Sequence, residues 1–479
     1  MTMTKPTSEQ VTFLAAGSGA TQRTALEKLR DVVSVKDFGA KGDNATDDAA
    51  AIQAAINATQ SSGGGIVFMP TGIYRISQTL TIPANAAVTL MGVGQVDVVG
   101  GTRIRWIGSD NSSMIDIDDY NGIKDMHIFA VGSYSNLTGI DAKGTVGGKS
   151  PSGIILDNVS VKGVTNGFYF NYGWYNSVHD CFALYCQYGI RLGTESNNFG
   201  FYNCHIAFNS VAGIYFEGTG SRGNVFDSCS IESNAVGVDC SNGSPEAVTF
   251  KGCYVEANTS YDMILDGFQV VVDTCFFNGI SGCKAIKIAG GNGISLRNNL
   301  FLGAYTVSDV YEIPAVNPGM ARHGLQLGDD QMGGSITGSP RATAIASAPW
   351  LITDYVLDMP ASNVTYLVSK QLDASASQFD WIVFPGQDDV VRKTIVGAFL
   401  VAETSIVTNN TFRVRIGFSG AGYDQLFDTT YTGTIAIGAS QLSLLVPTQQ
   451  VLPYPTHAWR YNNAAGTSGT YRIVLVLSP

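Results

Sequence analysis

Charge is scarce in this sequence, and positive charge scarcer still. Only 14% of the 479 residues are Asp, Glu, Lys or Arg, and the 28 Lys and Arg are diluted among 39 acids without forming a basic run. The formal net charge of -11 argues against nucleic acid as a partner, which calls for a concentrated cationic patch. No apolar stretch reaches transmembrane length, and Met1 to Gln10 holds no apolar signal core, so neither membrane insertion nor a secretory signal is expected. Long amphipathic runs of helix formers are nearly absent. The five histidines, His127, His179 and His205 among them, show no metal-ligand spacing, and the eight cysteines include no CxxC pair. Neither a metal nor a cofactor is therefore expected. No Ser-His-Asp elbow is present, and Gly63-Gly64-Gly65 precedes a strand rather than a helix, the wrong context for a phosphate loop.

What the chain has in quantity is glycine, at 55 residues, together with 21 Tyr and 23 Phe. Tight turns and aromatic-rich strands need these. A small residue recurs at Asn158, Cys181, Cys204, Cys229, Cys253, Cys275 and Asn298, at intervals of 23, 23, 25, 24, 22 and 23. Such a period is the mark of stacked supersecondary units. After each cysteine, apolar and variable residues alternate, as in Cys204-His205-Ile206 and Cys229-Ser230-Ile231, which is the rhythm of a half-buried strand. A second run begins at Gly167, Gly189, Gly213 and Gly237, and a third apolar patch lies at Phe201, Phe226 and Phe250. Three short strands per unit, with no helical period between them, describe a β-solenoid. The cysteines then stack as small core residues, ahead of metal ligation or disulfides. All eight lie between 181 and 283, and free thiols suit synthesis in a reducing cytosol. Asn209, Asn234 and Asn258, each five residues after its cysteine, form a second column at a turn, where amide side chains bond backbone groups of adjacent coils.

In chain order, residues 1–20 read as a flexible lead and Thr24 to Arg30 as a short helix, with Thr24 and Glu27 in capping-box spacing. So brief a helix needs a packing partner, and another copy of the chain is a candidate. Thr46-Asp47-Asp48 caps a helix over Ala49 to Ala58 whose stripe carries Ile52 and Ile56. This helix is expected to cover the open end of the solenoid, where an exposed core and strand edges invite aggregation. The strand Ile66 to Met69 follows.

Here the residues resemble a known family. Val35-Lys36-Asp37-Phe38-Gly39-Ala40, Gly42-Asp43, Thr46-Asp47-Asp48, Ala51-Ile52-Gln53-Ala54-Ala55-Ile56 and Gly64-Gly65-Ile66-Val67-Phe68-Met69-Pro70-Thr71-Gly72-Ile73-Tyr74 resemble the entry segment of the pectate-lyase-like superfamily, and within it the tailspike depolymerases of bacteriophages. Val11-Thr12-Phe13 and Thr24 to Asp31 resemble the linker and neck of such spikes. The resemblance implies a right-handed parallel β-helix, an elongated homotrimer, and recognition and cleavage of a bacterial surface polysaccharide such as capsule or O-antigen. It also implies a place in the virion tail after synthesis in the host cytoplasm, joined through the N-terminus to the tail or an adaptor. No large anchor precedes the neck, so the chain is expected to be a short spike seated on an adaptor or a trimmed one. The shared residues are structural, and the family has no fixed catalytic signature to carry over.

Chemistry is sought on outward columns. If Cys229 and Ile231 face inward, Ser230 and Glu232 face out, and Tyr254 and Glu256 follow one coil later. One column reads Ala207, Glu232, Glu256 and Asn278; its neighbour reads His205, Ser230, Tyr254 and Phe276. Two glutamates one rung apart repel, which favours one protonated and one ionised carboxyl, the pair a glycosidase uses. The alternative is that both are solvated edge residues. A rival column holds Tyr169, Arg191, Tyr215 and Asp239, with Glu195, Glu217 and Arg222 on the loops that follow. Tyr faces stack on sugars and Arg pairs with the carboxylates of acidic ones. Trp174, in the aromatic run from Phe168 to Tyr175, lines either a saccharide groove or a subunit interface.

The expected architecture is all-β: lead and neck over 1–34, a parallel β-helix with cap over 35–303, a Pro- and Gly-rich linker over 304–344 and an antiparallel β-sandwich over 345–479. The Gly/Ser-rich stretch 133–152 reads as an insertion or a disordered loop. The terminal domain serves either trimer locking or carbohydrate binding. Three functions remain open: an endoglycosidase, a polysaccharide lyase using Arg191 with Tyr215 or His205, and a non-catalytic receptor-binding fibre.

Overall fold

A computed structural model describes residues 5–95, 100–145, 148, 150–306, 308–313, 325–327, 330–333 and 336, and beyond these the backbone of nine strands between 365 and 478. The chain divides into two units, Met1–Met263 and Ile264–Pro479.

The first unit opens with a small exposed hairpin in which Thr12–Phe13 pairs antiparallel with Arg23–Thr24. Helix α1 (Ala25–Leu29) follows, closed by the capping box of Thr24 and Glu27, and none of its side chains is buried. Helix α2 (Ala49–Ser61) buries Ile52, Ala55 and Ile56. Its start differs from the expected Asp cap: the Asp48 carboxylate turns away and accepts Lys41 N at 2.6 Å and Gly42 N at 2.9 Å. Asp47 Oδ1 accepts Ala49 N instead. At the end of α2 the chain reverses at Gly64 (φ +100), where a Cβ would lie 2.7 Å from the Ala87 carbonyl oxygen; only glycine fits.

From there the chain winds as a parallel β-solenoid. A representative coil places Gly200–Tyr202 in a first sheet, His205–Ala207 in a second and Ala212–Arg222 in a third. Each strand pairs in parallel with its equivalent one coil on: Phe201 with Phe226, Ile206 with Ile231 and Ile214 with Val238. Strands of three residues bury only one or two side chains, so only like-on-like stacking between coils can build a core. Phe201, Phe226 and Phe250 do this as parallel rings with centroids 4.6 and 4.9 Å apart. All eight cysteines are free and buried. Cys229 Sγ donates to the Phe201 carbonyl at 3.5 Å and Cys253 Sγ to that of Phe226 at 3.4 Å. The flanking thiols of Cys204 and Cys253, and then burial, push the Cys229 thiol far above its ordinary range.

The asparagine column is a buried amide ladder. Asn234 Oδ1 accepts Asn209 N at 3.0 Å and Asn209 Nδ2 at 2.8 Å, while its Nδ2 donates to Ile206 O at 3.0 Å and Asn258 Oδ1 at 3.1 Å. Backbone groups that the corner removes from the sheet are satisfied this way.

In the second unit, parallel pairing joins Val271–Asp273 to Ile294–Arg297 and Phe276–Gly279 to Leu300–Gly303. It continues past the expected boundary at 303: Ile294 pairs with Leu325, Leu300 with Gln331 and Ile286 with Tyr311. The interval from Leu300 to Gln331 is longer than the 22–25 residues of the earlier coils, so the period no longer marks these strands, and part of the expected linker is strand. Farther on are two antiparallel sheets. One contains Thr365–Val368, Thr394–Ala402, Gly438–Gln441 and Thr470–Ser478; the other contains Phe379–Ile382, Thr411–Phe418, Phe427–Thr432 and His457–Asn462. Their side chains, and with them the packing that a sandwich over 345–479 would require, lie outside the described residues, as does part of the 133–152 insertion.

Two outcomes follow from the stacked core. Replacing Asn234 by Leu leaves buried amide and carbonyl groups without partners and should cost about 3 kcal/mol, measured as a lowered unfolding midpoint. A water-soluble thiol reagent should leave all eight cysteines of the native protein unmodified and label them after denaturation.

Candidate functional site

The structure separates the expected site residues into three places. On the second sheet, His205, Ser230 and Tyr254 stand in register, and so do Ala207, Glu232 and Glu256. Glu232 Oε1 accepts the Ser230 hydroxyl at 2.9 Å. His205 Nε2 lies 2.6 Å from the same oxygen, but out of line for a hydrogen bond. The Tyr254 hydroxyl donates to Glu256 Oε2 at 2.7 Å. Strand pairing puts the two glutamates one rung apart, ~4.8 Å along the solenoid. Ala207, expected to face outward with them, is fully buried; its methyl group is too short to reach past Leu184 and Glu232 on the adjacent rungs.

The third sheet carries the rival column in register: Tyr169, Arg191, Tyr215 and Asp239. Arg191 is its centre. Its Nε donates to Glu217 Oε2 at 2.7 Å and its Nη1 to Asn166 Oδ1 at 3.0 Å. The guanidinium carbon lies 4.7 Å from the Tyr169 ring centroid and 5.2 Å from that of Tyr188. Tyr169 also donates to Glu217 Oε2, at 3.0 Å. The Arg191 hydrogen bond holds the Glu217 carboxyl below its ordinary range. Burial pushes the Tyr169 phenol up to about 12 and raises that of Tyr215. Asp239 Oδ1 accepts Ser241 N at 2.8 Å. This face is a compensated network, in which Glu217 is suited to remain ionised and neither phenol is suited to act as a base.

Trp174 joins neither group. It sits on the two-residue strand Gly173–Trp174, paired with Ser196–Asn197.

The structure also brings forward residues that the sequence reading missed. Asp116 and Asp141 are in register on the third sheet. Asp141 is 6% exposed; its Oδ2 takes Ser113 Oγ at 2.5 Å and Lys143 Nζ at 2.8 Å, and its Oδ1 has no hydrogen-bond partner among the described residues. The alternation in Ile115-Asp116-Ile117 and Ile140-Asp141-Ala142 is the signal that would have found this pair. Tyr185 and Phe208 occupy a corner of the coil at φ 53° and 60°, a conformation that costs bulky residues roughly 1–2 kcal/mol, and their rings stack 4.8 Å apart. Among the described residues no group of three or more His, Cys, Asp or Glu is arranged to hold a metal ion.

Residues 32–264 match the family described as rhamnogalacturonase A/epimerase, pectate lyase-like. Mannuronan C5-epimerase AlgE3 of Azotobacter vinelandii is 49% identical over 69 residues, which cover 13% of this chain and 4% of that protein. The tail spike protein of Shigella phage Sf6 is 27% identical over 196 residues, covering 39% of this chain and 31% of that protein. The chain thus spans less than a third of the length of either relative. A solved structure of a DFA-IIIase variant from Arthrobacter chlorophenolicus in complex with DFA-III superposes with a TM-score of 0.53 at 13% identity, over 64% of this chain and 85% of that one; it shares the fold. Family match, coil architecture and partial relatives together support a pectate-lyase-like β-solenoid.

The Arg191–Glu217 contact has a pH signature. A carboxyl held low in the folded state contributes stability that is present above the unfolded-state pKa, near 4.3, and lost as pH falls through the folded value. Glu217→Gln should therefore cost about 1 kcal/mol at pH 7, a small value because Glu217 is 39% exposed. The difference from the parent protein should vanish in strong acid, read as unfolding midpoints across pH.

Proposed function

We propose that this chain is a phage tailspike depolymerase that binds a bacterial surface polysaccharide along its solenoid and hydrolyses it internally, with Glu232 and Glu256 as the reacting carboxyls. The observation that carries this reading is their register on adjacent rungs, each accepting a hydroxyl from its own strand. The ~4.8 Å rung spacing is close to the carboxyl separation of about 5–5.5 Å in retaining glycosidases. One carboxylic acid gives its proton to the glycosidic oxygen as the C–O bond breaks. The other carboxylate attacks the anomeric carbon to form a glycosyl ester, which water, deprotonated by the first residue, then hydrolyses. His205 and Tyr254 flank the pair as sugar contacts, and on the third sheet Tyr169, Arg191 and Tyr215 offer a second surface for a polymer.

The tail role draws on the partial similarity to the Shigella phage Sf6 tail spike protein and on the neck. Helix α1 buries nothing within its own chain and leaves Leu29 70% exposed, which favours packing against copies of itself in a homotrimer. Attachment to a virion or adaptor through the N-terminus belongs to the same proposal.

A second reading, proton abstraction beside a uronate carboxylate by a lyase, is favoured by the similarity to a mannuronan C5-epimerase. It would need Arg191 for the substrate carboxylate, yet Arg191 is engaged by Glu217, and the raised phenols of Tyr169 and Tyr215 disfavour the phenolate.

Glu232→Gln and Glu256→Gln should each lower the cleavage rate at least about 100-fold, measured by mass analysis of fragments released from purified host polysaccharides. Hydrolysis yields no ultraviolet-absorbing unsaturated uronate. Normal rates in both variants would move the site to Glu217 and Asp239; an absorbing product would replace hydrolysis by elimination.

A further inference from the structure

The corner that follows the second sheet carries one equivalent residue per coil. Tyr185, Phe208, Ser233 and Ala257 succeed one another there, linked by Tyr185 N to Ala207 O, Phe208 N to Glu232 O and Ser233 N to Glu256 O. On one side the column is closed, because the Lys162 ammonium lies 5.2 Å from the Tyr185 ring centroid. The Tyr185 and Phe208 rings then stack at 4.8 Å with only 9° between their planes. On the other side the stack stops. Ser233 and Ala257 are too small to continue it, and among the described residues no further ring or cation lies over Phe208, which is 45% exposed.

We propose that the open face of Phe208 is a sugar-stacking subsite, with one pyranose ring lying over Ser233 and Ala257 where the next rings of the column would otherwise sit. The proposal rests on the reading of Glu232 and Glu256 as the reacting pair. Three features select a sugar as the occupant. The apolar face of a pyranose matches an aromatic face and stacks at the spacing already set between Tyr185 and Phe208. Glu232 immediately precedes Ser233 and Glu256 immediately precedes Ala257, so hydroxyls at the ring's edge meet carboxylate acceptors, whereas an apolar protein surface would bury those charges. Finally, bulky rings hold a left-handed conformation here, φ 53° and 60°, which Asn, Asp, Ser or Gly adopt more readily. Equivalent corners between the first and second sheets use Asp180, Asn203, Ser228 and Gly252. Lys162 blocks the opposite face, so the polymer is expected to extend from Phe208 toward the carboxylates.

Binding separates this subsite from the chemistry beside it. An array of purified bacterial capsular and O-chain oligosaccharides is probed with the Glu232→Gln protein and with the same protein carrying Phe208→Ala, Phe208→Trp or Ser233→Phe. Phe208→Ala should weaken every bound glycan roughly ten-fold. Phe208→Trp, which keeps a flat ring at that position, should retain affinity. Ser233→Phe should abolish binding by extending the stack over the seat, while the unfolding midpoint stays near the parent value. Unchanged affinity in Phe208→Ala or Ser233→Phe would overturn the subsite, as would a change of oligomeric state in either variant without a change in glycan affinity. Full cleavage by Glu232→Gln with weakened binding in Phe208→Ala would overturn the assignment of Glu232 and leave the subsite standing. Absence of any bound glycan would overturn both.

Discussion

Like residues stacked directly above one another at the ~4.8 Å strand spacing are the constraint on which this molecule depends. A three-residue strand that buries a single side chain has no core of its own, so Phe201, Phe226 and Phe250, or Cys204, Cys229 and Cys253, become a core only as columns. The column tolerates a shared chemical type well and a mixture of sizes badly, because each ring or thiol is packed by its own equivalent. Polar groups obey the same rule. Asn234 and Asn258 each accept on Oδ1 the backbone and side-chain N–H groups of the asparagine one coil before, Asn209 and Asn234 in turn, and an interruption would leave buried groups unsatisfied at two levels.

The same stacking governs the surface, where it has electrostatic consequences. Parallel register repeats an outward position on every coil, which places like charges side by side unless the sequence alternates them. The third sheet resolves this by inserting Arg191 between Tyr169 and Tyr215 and tying it to Glu217. The second sheet instead sets Glu232 beside Glu256 and surrounds Glu232 with a hydroxyl and an imidazole. One face is compensated internally; the other keeps two carboxyls adjacent, the feature on which the proposed hydrolysis rests.

Corners supply what flat sheets lack. Each coil turns through residues of positive φ, and most are Asn, Asp, Ser or Gly, whose short side chains or missing Cβ lower the cost. Tyr185 and Phe208 are exceptions that project rings from an edge beside the carboxyls. Strain of this kind persists where the surrounding coils over-determine the backbone, and the hydrogen bonds from Tyr185 N and Phe208 N to the following coil do so here.

Much of this was legible in the sequence. The 22–25-residue interval specified the coil, and alternation about Cys229 and Cys253 separated inward from outward residues well enough to pair Glu232 with Glu256 and Arg191 with Tyr215. Those inferences need only period and parity, which are local. Tertiary structure alone decided which outward groups meet. Glu217 keeps the outward parity of Tyr215, but it stands two residues past the column and beside a register shift, so period and parity did not show that its carboxylate reaches back to Arg191. The coil beyond residue 303 was hidden by a longer interval, the Asp116–Asp141 pair by the irregular early coils, and the burial of Ala207 by the reach of its neighbours. A repeating sequence determines the ladder because each rung interacts with its like; contacts between unlike side chains depend on side-chain length and loop course, which no period encodes.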